Sequence, residues 1–128
     1  MERAVEILVV IQLTIIGLSH IGHHRAWAEF FIKLRALGKP AAFANGFLSL
    51  QIGSMILGFH RVWSGLPLVL TIFGILNLLK AAQCFLNPAT SMRLMNRVSL
   101  DRSREFVGAG VVSLAIAAVT AYGLVRGA

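Results

Sequence analysis

Four long apolar stretches separated by short polar segments dominate the hydropathy pattern of this chain. Each stretch supplies about twenty predominantly apolar residues, the length an α-helix needs to cross the hydrocarbon core of a bilayer. The four windows are residues 5–24, 41–59, 67–86 and 106–125. The pattern therefore predicts an all-α integral membrane protein with four transmembrane helices.

The composition supports this fold class and leaves little room for another. Hydrophobic residues make up 57% of the 128 residues and charged residues only 13%, and the mean hydropathy is +0.78. A soluble domain of this size is far less apolar. Because the four windows take up most of the chain, any function is expected inside the bilayer or in short loops at its surface.

The second half of the chain repeats the layout of the first half, with two apolar spans around a basic loop. With a shift of 64 residues, the segment 47–52 falls on 111–116 and Gly46 falls on Gly110. This indicates a tandem duplication of a two-span unit, with repeats 1–64 and 65–128 forming one membrane domain. Repeats with an even number of spans keep their orientation, so an axis along the membrane normal is expected to relate them.

The loop inside each repeat has the pattern of a short helix. In the segment 25–37, charged residues recur at every fourth position, with aromatic and aliphatic residues elsewhere around the helical turn. The counterpart 88–100 carries Arg93 and Arg97 four residues apart beside apolar side chains. This spacing is typical of amphipathic helices that lie in the membrane interface. Each repeat is thus predicted to run span, interfacial helix, span.

Positive charge is distributed unevenly between the two predicted membrane faces. Of the twelve Lys and Arg residues, four lie in each intra-repeat loop, whereas three lie at the other face. Lys and Arg in short loops favour the cytoplasmic side. We therefore expect a bacterial inner-membrane protein with cytoplasmic basic loops and periplasmic termini. The formal charge of +7 indicates attraction of anionic lipids to these loops, and no nucleic-acid partner is expected.

Small residues recur at every fourth position on the second span, and the shift of 64 places small residues on the fourth span as well. The two stripes consist of Asn45, Ser49 and Gly53, and of Ala109, Ser113 and Ala117. Small residues let helix backbones approach closely in lipid. The sequence thus predicts that spans two and four pack against each other.

Histidines at the end of the first span, together with Cys84, are the candidates for a metal site. His20 and His24 share one helical face, and the shift of 64 maps His20 onto Cys84. Imidazole and thiolate ligands suit a soft metal ion. Histidines at a wet membrane interface are more often solvated or bonded to lipid phosphate. We therefore expect no metal, no cofactor and no catalytic residues, so that the protein is not an enzyme.

Lys80 is the one formal charge deep within a span. It lies about six residues from the span's end, which corresponds to a depth of roughly 9 Å, and a lysine can snorkel over that distance. Alternatively, Lys80 lines a polar seam with Asn77 and Gln83 for an anion or a quinone-like headgroup. The remaining polar residues considered within the spans are Gln12, Asn45 and Gln51. No acidic partner is predicted for these side chains, so a proton relay is not indicated.

Residues 74–125 resemble a known small membrane family. The sequence Leu86-Asn87-Pro88-Ala89, the short basic segment after it, and the glycine-bearing stretch 105–110 are similar to the two-span inner-membrane proteins of the YjeT type. The four-span layout as a whole is similar to DoxX-like proteins, a family associated with respiratory complexes. These resemblances imply a fold and a membrane location but no site residues.

Two classes of function fit these features best. A small chain with four apolar spans and no soluble domain suits an accessory or structural subunit that packs within a larger membrane complex. The alternative is a homo-oligomer that moves a small solute or ion past the polar residues of the spans. A metal-binding or redox membrane protein is a third, weaker possibility. The partners expected are membrane lipids together with other subunits or further copies of the chain.

Overall fold

Six α-helices and one short 3-10 turn make up the part of the chain that the computed structural model describes, residues 2–127. The helices are α1 (Glu2–Gly22), α2 (His24–Arg35), α3 (Pro40–Phe59), α4 (Leu68–Leu86), α5 (Pro88–Met95) and α6 (Arg104–Arg126), with the 3-10 turn at Leu100–Arg102. Helices α1, α3, α4 and α6 are long and apolar enough to cross a membrane. The predicted all-helical fold with four helices long and apolar enough to span a membrane is thereby confirmed.

The starts of the helices follow the local sequence signals. Pro40 and Pro88 stand at the beginning of α3 and α5, where a missing N–H group costs nothing and the fixed φ is already helical. Asn87 caps α5, because its side-chain oxygen accepts the backbone N–H of Thr90 at 3.4 Å. Gly38 adopts a φ of +80° between α2 and α3, a conformation that favours glycine.

The four long helices pack as two close pairs. Helix α1 runs along α6, and α3 runs along α4, whereas α1 with α3 and α4 with α6 touch only locally. The prediction that spans two and four, now α3 and α6, form the central pair is therefore wrong. Each span packs most closely on a span from the other half of the chain.

Glycines explain this pairing. A Cβ atom at Gly110 of α6 would lie 2.6 Å from the carbonyl oxygen of Gly17 of α1. In the other pair, a Cβ atom at Gly53 would lie 3.0 Å from the carbonyl oxygen of Gly74. Because backbone meets backbone at both places, only glycine fits there. These contacts set the distance between the two helix axes within each pair.

The residues of the two predicted small-residue stripes lie in different environments. Ser49 and Gly53 are buried, but Gly53 faces α4 and not α6. On α6, Ala117 is buried in the core, whereas Ala109 is exposed. Ser113 is half-buried and donates its hydroxyl to the Ala109 carbonyl of its own helix at 2.9 Å. A stripe of small residues thus marked close packing on α3 but did not specify the partner helix.

A close contact in the α1–α6 pair and one in the α3–α4 pair involve residues whose numbers differ by 64. Besides the Gly17 carbonyl oxygen, the near neighbours of Gly110 are His20 and Ile21, and those of Gly46 are Cys84 and Phe85. Each residue in the second contact is numbered 64 away from its counterpart in the first. The contact of Gly110 with His20 and Ile21 thus has a counterpart in the contact of Gly46 with Cys84 and Phe85.

The apolar core lies toward one end of the bundle. It consists of Val5, Val9, Leu13, Ile52, Ile56, Leu70 and Ala117. These residues occupy the first half of α1 and α4 and the second half of α3 and α6, so the core lies near the chain termini and the α3–α4 loop. We call this the terminal end. The opposite end, which carries α2 and α5, is called the loop end.

Polar contacts join the connecting segments at the loop end. The Arg35 guanidinium of α2 donates to the carbonyl oxygens of Met95 at 3.1 Å and Val98 at 2.6 Å. Nδ1 of His24 shares a hydrogen bond of 2.9 Å with Oγ of Ser103. A cation at the C-terminal carbonyls of α5 is also favoured by the helix dipole. Helix α2 is thereby held against the segment that follows α5.

Candidate functional site

A cleft between the helix pairs opens at the loop end, beneath α2 and α5. It has two adjoining parts with volumes of about 280 Å³ and about 330 Å³. Phe31, Asn45 and Lys80 line both parts. The residues come from the connecting helix α2 and from α3 and α4, so no single span forms the cleft. It occupies the end of the bundle where the apolar core is absent.

Polar side chains gather in the first part of the cleft. Gln83, Cys84 and Ser91 line it together with Asn45 and Lys80. Cys84 and Ser91 are buried, and Sγ and Oγ lie 3.3 Å apart in a shared hydrogen bond. Amide, hydroxyl and ammonium groups therefore converge on one volume. This arrangement can bind a ligand that offers hydrogen-bond acceptors.

Aromatic rings form the facing wall. The His20 and Trp27 rings are stacked with centroids 4.2 Å apart, and the Phe31 and Phe106 rings are stacked at 5.6 Å. Nε1 of Trp27 donates to Oγ of Ser19 at 2.9 Å, which fixes the indole relative to α1. The rings give the cleft a rigid apolar side opposite its polar groups. The cleft is thus amphipathic.

Lys80 supplies the formal charge of the cleft. Among the described residues, no aspartate or glutamate lines either part, whereas Lys80 lines both. Within the cleft, no carboxylate is therefore present to neutralise its ammonium group. The electrostatics of the site favour an anionic or strongly polarised occupant.

The polar residues predicted within the spans are only partly brought together. Asn45 and Lys80 share the cleft, joined by Gln83 of the predicted seam. Asn77, the third residue of that seam, instead donates to the Phe73 carbonyl of its own helix at 2.9 Å. Gln12 and Gln51 are exposed on the outer surface of α1 and α3. A single chain thus does not assemble the continuous polar path of the transporter hypothesis.

The candidate metal ligands each have a separate partner. Nδ1 of His20 lies 2.8 Å from the Ile16 carbonyl oxygen, while His24 bonds to Ser103 and Cys84 to Ser91. Within residues 2–127, no three His, Cys, Asp or Glu side chains are close enough together to hold one metal ion. The structure therefore does not group His20, His24 and Cys84 into a ligand set.

A second polar site, which the sequence reasoning missed, lies at the terminal end. His60, the C-cap residue directly after α3, is fully buried, and its Nε2 lies 2.8 Å from Oε1 of the buried Glu6 of α1. Its Nδ1 lies 3.3 Å from Oγ1 of Thr71 on α4. The Thr71 hydroxyl donates to the Val62 carbonyl oxygen at 2.6 Å. We call Glu6, His60 and Thr71 the buried triad; it joins three helices and the α3–α4 loop.

Span topology contained the signal for this triad. Glu6 lies one residue inside the first predicted span, and His60 comes directly after the second. Successive spans run in opposite directions, so the start of the first span and the end of the second lie at the same membrane face. An acid and a histidine at that shared depth are natural partners, because a buried charge requires one.

Comparison with known proteins adds no assignment. No family model, curated protein or solved structure matches this chain.

Proposed function

We propose that the protein is a small accessory or structural subunit of a larger complex in the bacterial inner membrane. The observation that carries this proposal is the position of two amide side chains. Gln12 and Gln51 lie near the middle of α1 and α3, and both are exposed on the outer surface of the bundle. In a lone chain both amides would face hydrocarbon.

A polar amide at that depth favours association with another helix. Placing an amide in hydrocarbon without a hydrogen-bond partner costs on the order of several kcal/mol. Interhelical hydrogen bonds of such residues contribute about 1–2 kcal/mol in model peptides. Association that gives both amides a partner therefore stabilises the assembly. A partner subunit with polar groups at matching depth meets this requirement.

The amount of burial within the chain also supports assembly. Only 22–33% of each spanning window is buried inside the protein, so most of every span is left for lipid or for neighbouring subunits. Large apolar side chains such as Ile15 and Phe47 are exposed. The outer surface is therefore extensive enough to seat a partner without rearranging the helix pairs.

We further propose that the chain arose by duplication of a two-span unit of the YjeT type. The equivalent contacts at Gly46 and Gly110, 64 residues apart, support this proposal, because a two-fold relation between repeats requires such paired contacts. In the same scheme, α2 and α5 are equivalent helices that lie in the cytoplasmic interface. Their exposed basic residues, including Lys33 and Arg93, would then face anionic headgroups.

The assembly proposal is tested by replacing the exposed amides. Extraction of the parent protein in mild detergent and native mass analysis should recover it with unrelated subunits. The double variant Gln12→Leu/Gln51→Leu should lose most of that association, while Asn77→Leu, which removes an amide already bonded within its own helix, should keep it. Recovery of the parent as a self-only oligomer would instead favour the homo-oligomeric transporter or channel.

The orientation is tested by cysteine labelling at exposed positions. Single cysteines at Lys39 and Arg102 should react only with membrane-permeant reagents in intact cells, and a cysteine at Ser64 should also react with impermeant ones. All three positions are exposed, whereas the native Cys84 is buried and should contribute little background. The opposite labelling pattern would place both basic loops in the periplasm and contradict the proposed topology.

A further inference from the structure

We propose that the loop-end cleft binds the headgroup of an anionic phospholipid, with Lys80 as its charge partner. This inference is independent of the proposed subunit role, because it concerns a ligand of the single chain. It joins two observations: an ammonium group without a carboxylate partner, and an amphipathic cavity that opens between two helix pairs.

Charge complementarity identifies the sign of the occupant. Lys80 is the only Lys, Arg, Asp or Glu that lines the cleft among the described residues. A lysine within a membrane span is costly unless an anion or water meets it. The amides of Asn45 and Gln83 line the same volume and can donate hydrogen bonds to phosphate oxygens. A phosphate group satisfies all three side chains at once.

Depth and wall chemistry favour a lipid over a free anion. Lys80 lies six residues before the end of α4, roughly 9 Å along the helix axis, and a lysine stem of that reach brings the ammonium group to the boundary between headgroups and acyl chains. The second part of the cleft continues along Ile16, Ala44 and Leu48, which are apolar. A headgroup beside Lys80 therefore leaves room for the first methylene groups of a chain, whereas a free phosphate would leave this surface wet.

The surface around the cleft concentrates such lipids. The helices above it carry exposed basic residues, among them Lys33 on α2 and Arg93 on α5. Basic residues at a membrane surface attract anionic lipids by about 1 kcal/mol each. The surface charges thus raise the local concentration, and the cleft provides the specific site.

The test uses delipidated, full-length protein in mild detergent with three probes. Phosphatidylglycerol, phosphatidylcholine and inorganic phosphate are titrated separately, phosphatidylglycerol is titrated again in the presence of inorganic phosphate, and bound molecules are counted by native mass spectrometry. One phosphatidylglycerol should bind at least about fivefold more tightly than phosphatidylcholine, as expected for one additional charge pair. Lys80→Met should reduce the phosphatidylglycerol affinity to that of phosphatidylcholine.

Matched variants separate the cleft from general surface charge. Lys33→Met removes the same side chain from the exposed surface of α2 and should reduce the affinity by a smaller factor than Lys80→Met, while Lys80→Arg should retain it. If Lys80→Met does not purify as a folded protein, Lys80→Gln serves in the same comparison. Equal losses in Lys33→Met and Lys80→Met, or unchanged binding in Lys80→Met, would overturn the proposal. Saturation by inorganic phosphate that excludes phosphatidylglycerol would assign the site to a free anion and overturn it as well.

Discussion

Replacing Glu6 by leucine is expected to lower the free energy of unfolding by about 2–4 kcal/mol. His60 is fully buried, and the Glu6 carboxyl is the partner of its Nε2 at 2.8 Å. Without that carboxyl, a polar ring nitrogen remains buried and unpaired. Thermal or denaturant unfolding in mild detergent measures the loss.

The buried triad is expected to contribute more to stability than a typical hydrogen bond between membrane helices does. Such bonds average only about 0.6 kcal/mol in double-mutant cycles, because helices in the unfolded state also find partners within the membrane. In the buried triad, the alternative partners for Nε2 of His60 are restricted. The Thr71 hydroxyl is engaged with the Val62 carbonyl oxygen and lies on the Nδ1 side of the His60 ring, so it cannot replace Glu6 at Nε2.

Three further variants define the origin of the effect. Glu6→Gln keeps an acceptor oxygen near Nε2 and should lose less stability than Glu6→Leu. Glu2→Gln is the matched control, because Glu2 is exposed on the same helix and should unfold like the parent. Adding His60→Leu to Glu6→Leu should cost less than the sum of the single losses. Parent-like unfolding of Glu6→Leu would show that the triad does not hold the terminal end together.

The spans were predictable because bilayer thickness acts on each segment separately. Twenty apolar residues satisfy the length requirement whatever the rest of the chain does, and the prolines at 40 and 88 mark helix starts through a local backbone effect. Neither signal depends on which helix becomes a neighbour. For this reason the predicted order of the spans agrees with the structure, and their predicted ends agree to within a few residues.

Helix pairing was not predictable from the same signals. Helix α3 carries Gly46 as well as the stripe through Ser49 and Gly53, and small residues show only that some backbone approaches closely. Both α4 and α6 present a small residue that can meet them, namely Gly74 and Gly110. Shape fitting of complete surfaces decides between such partners, and a single sequence contains no record of that fit.

The cleft was predictable in part for a related reason. Lys80 and Gln83 lie three residues apart on one helix, so helical periodicity alone brings them together. Asn45 and Ser91 reach the same volume only through the packing of α3 and α5 beside α4. The aromatic wall likewise depends on the stacking of Phe31 on Phe106, which lie on α2 and α6.

The glycine contacts provide the test of helix pairing. Gly110→Leu should lower the free energy of unfolding by about 3 kcal/mol, the upper end of the usual cost of overpacking. The added Cβ would meet backbone, the Gly17 carbonyl oxygen at 2.6 Å, and backbone cannot move aside as a flexible side chain can. Gly53→Leu should behave in the same way against α4.

Neighbouring glycines in open positions are the controls. At Gly108 of α6 and Gly58 of α3, an added Cβ would have no atom within 4 Å apart from its own helix surroundings, so Gly108→Leu and Gly58→Leu should be neutral or stabilising. Each shares the change in helix propensity with its partner variant, so the difference isolates overpacking. Ser113→Leu should also be mild, because Ser113 is half-buried and bonds within its own helix. If Gly110→Leu and Gly108→Leu have the same free energy of unfolding, α1 and α6 do not make the close backbone contact at Gly110.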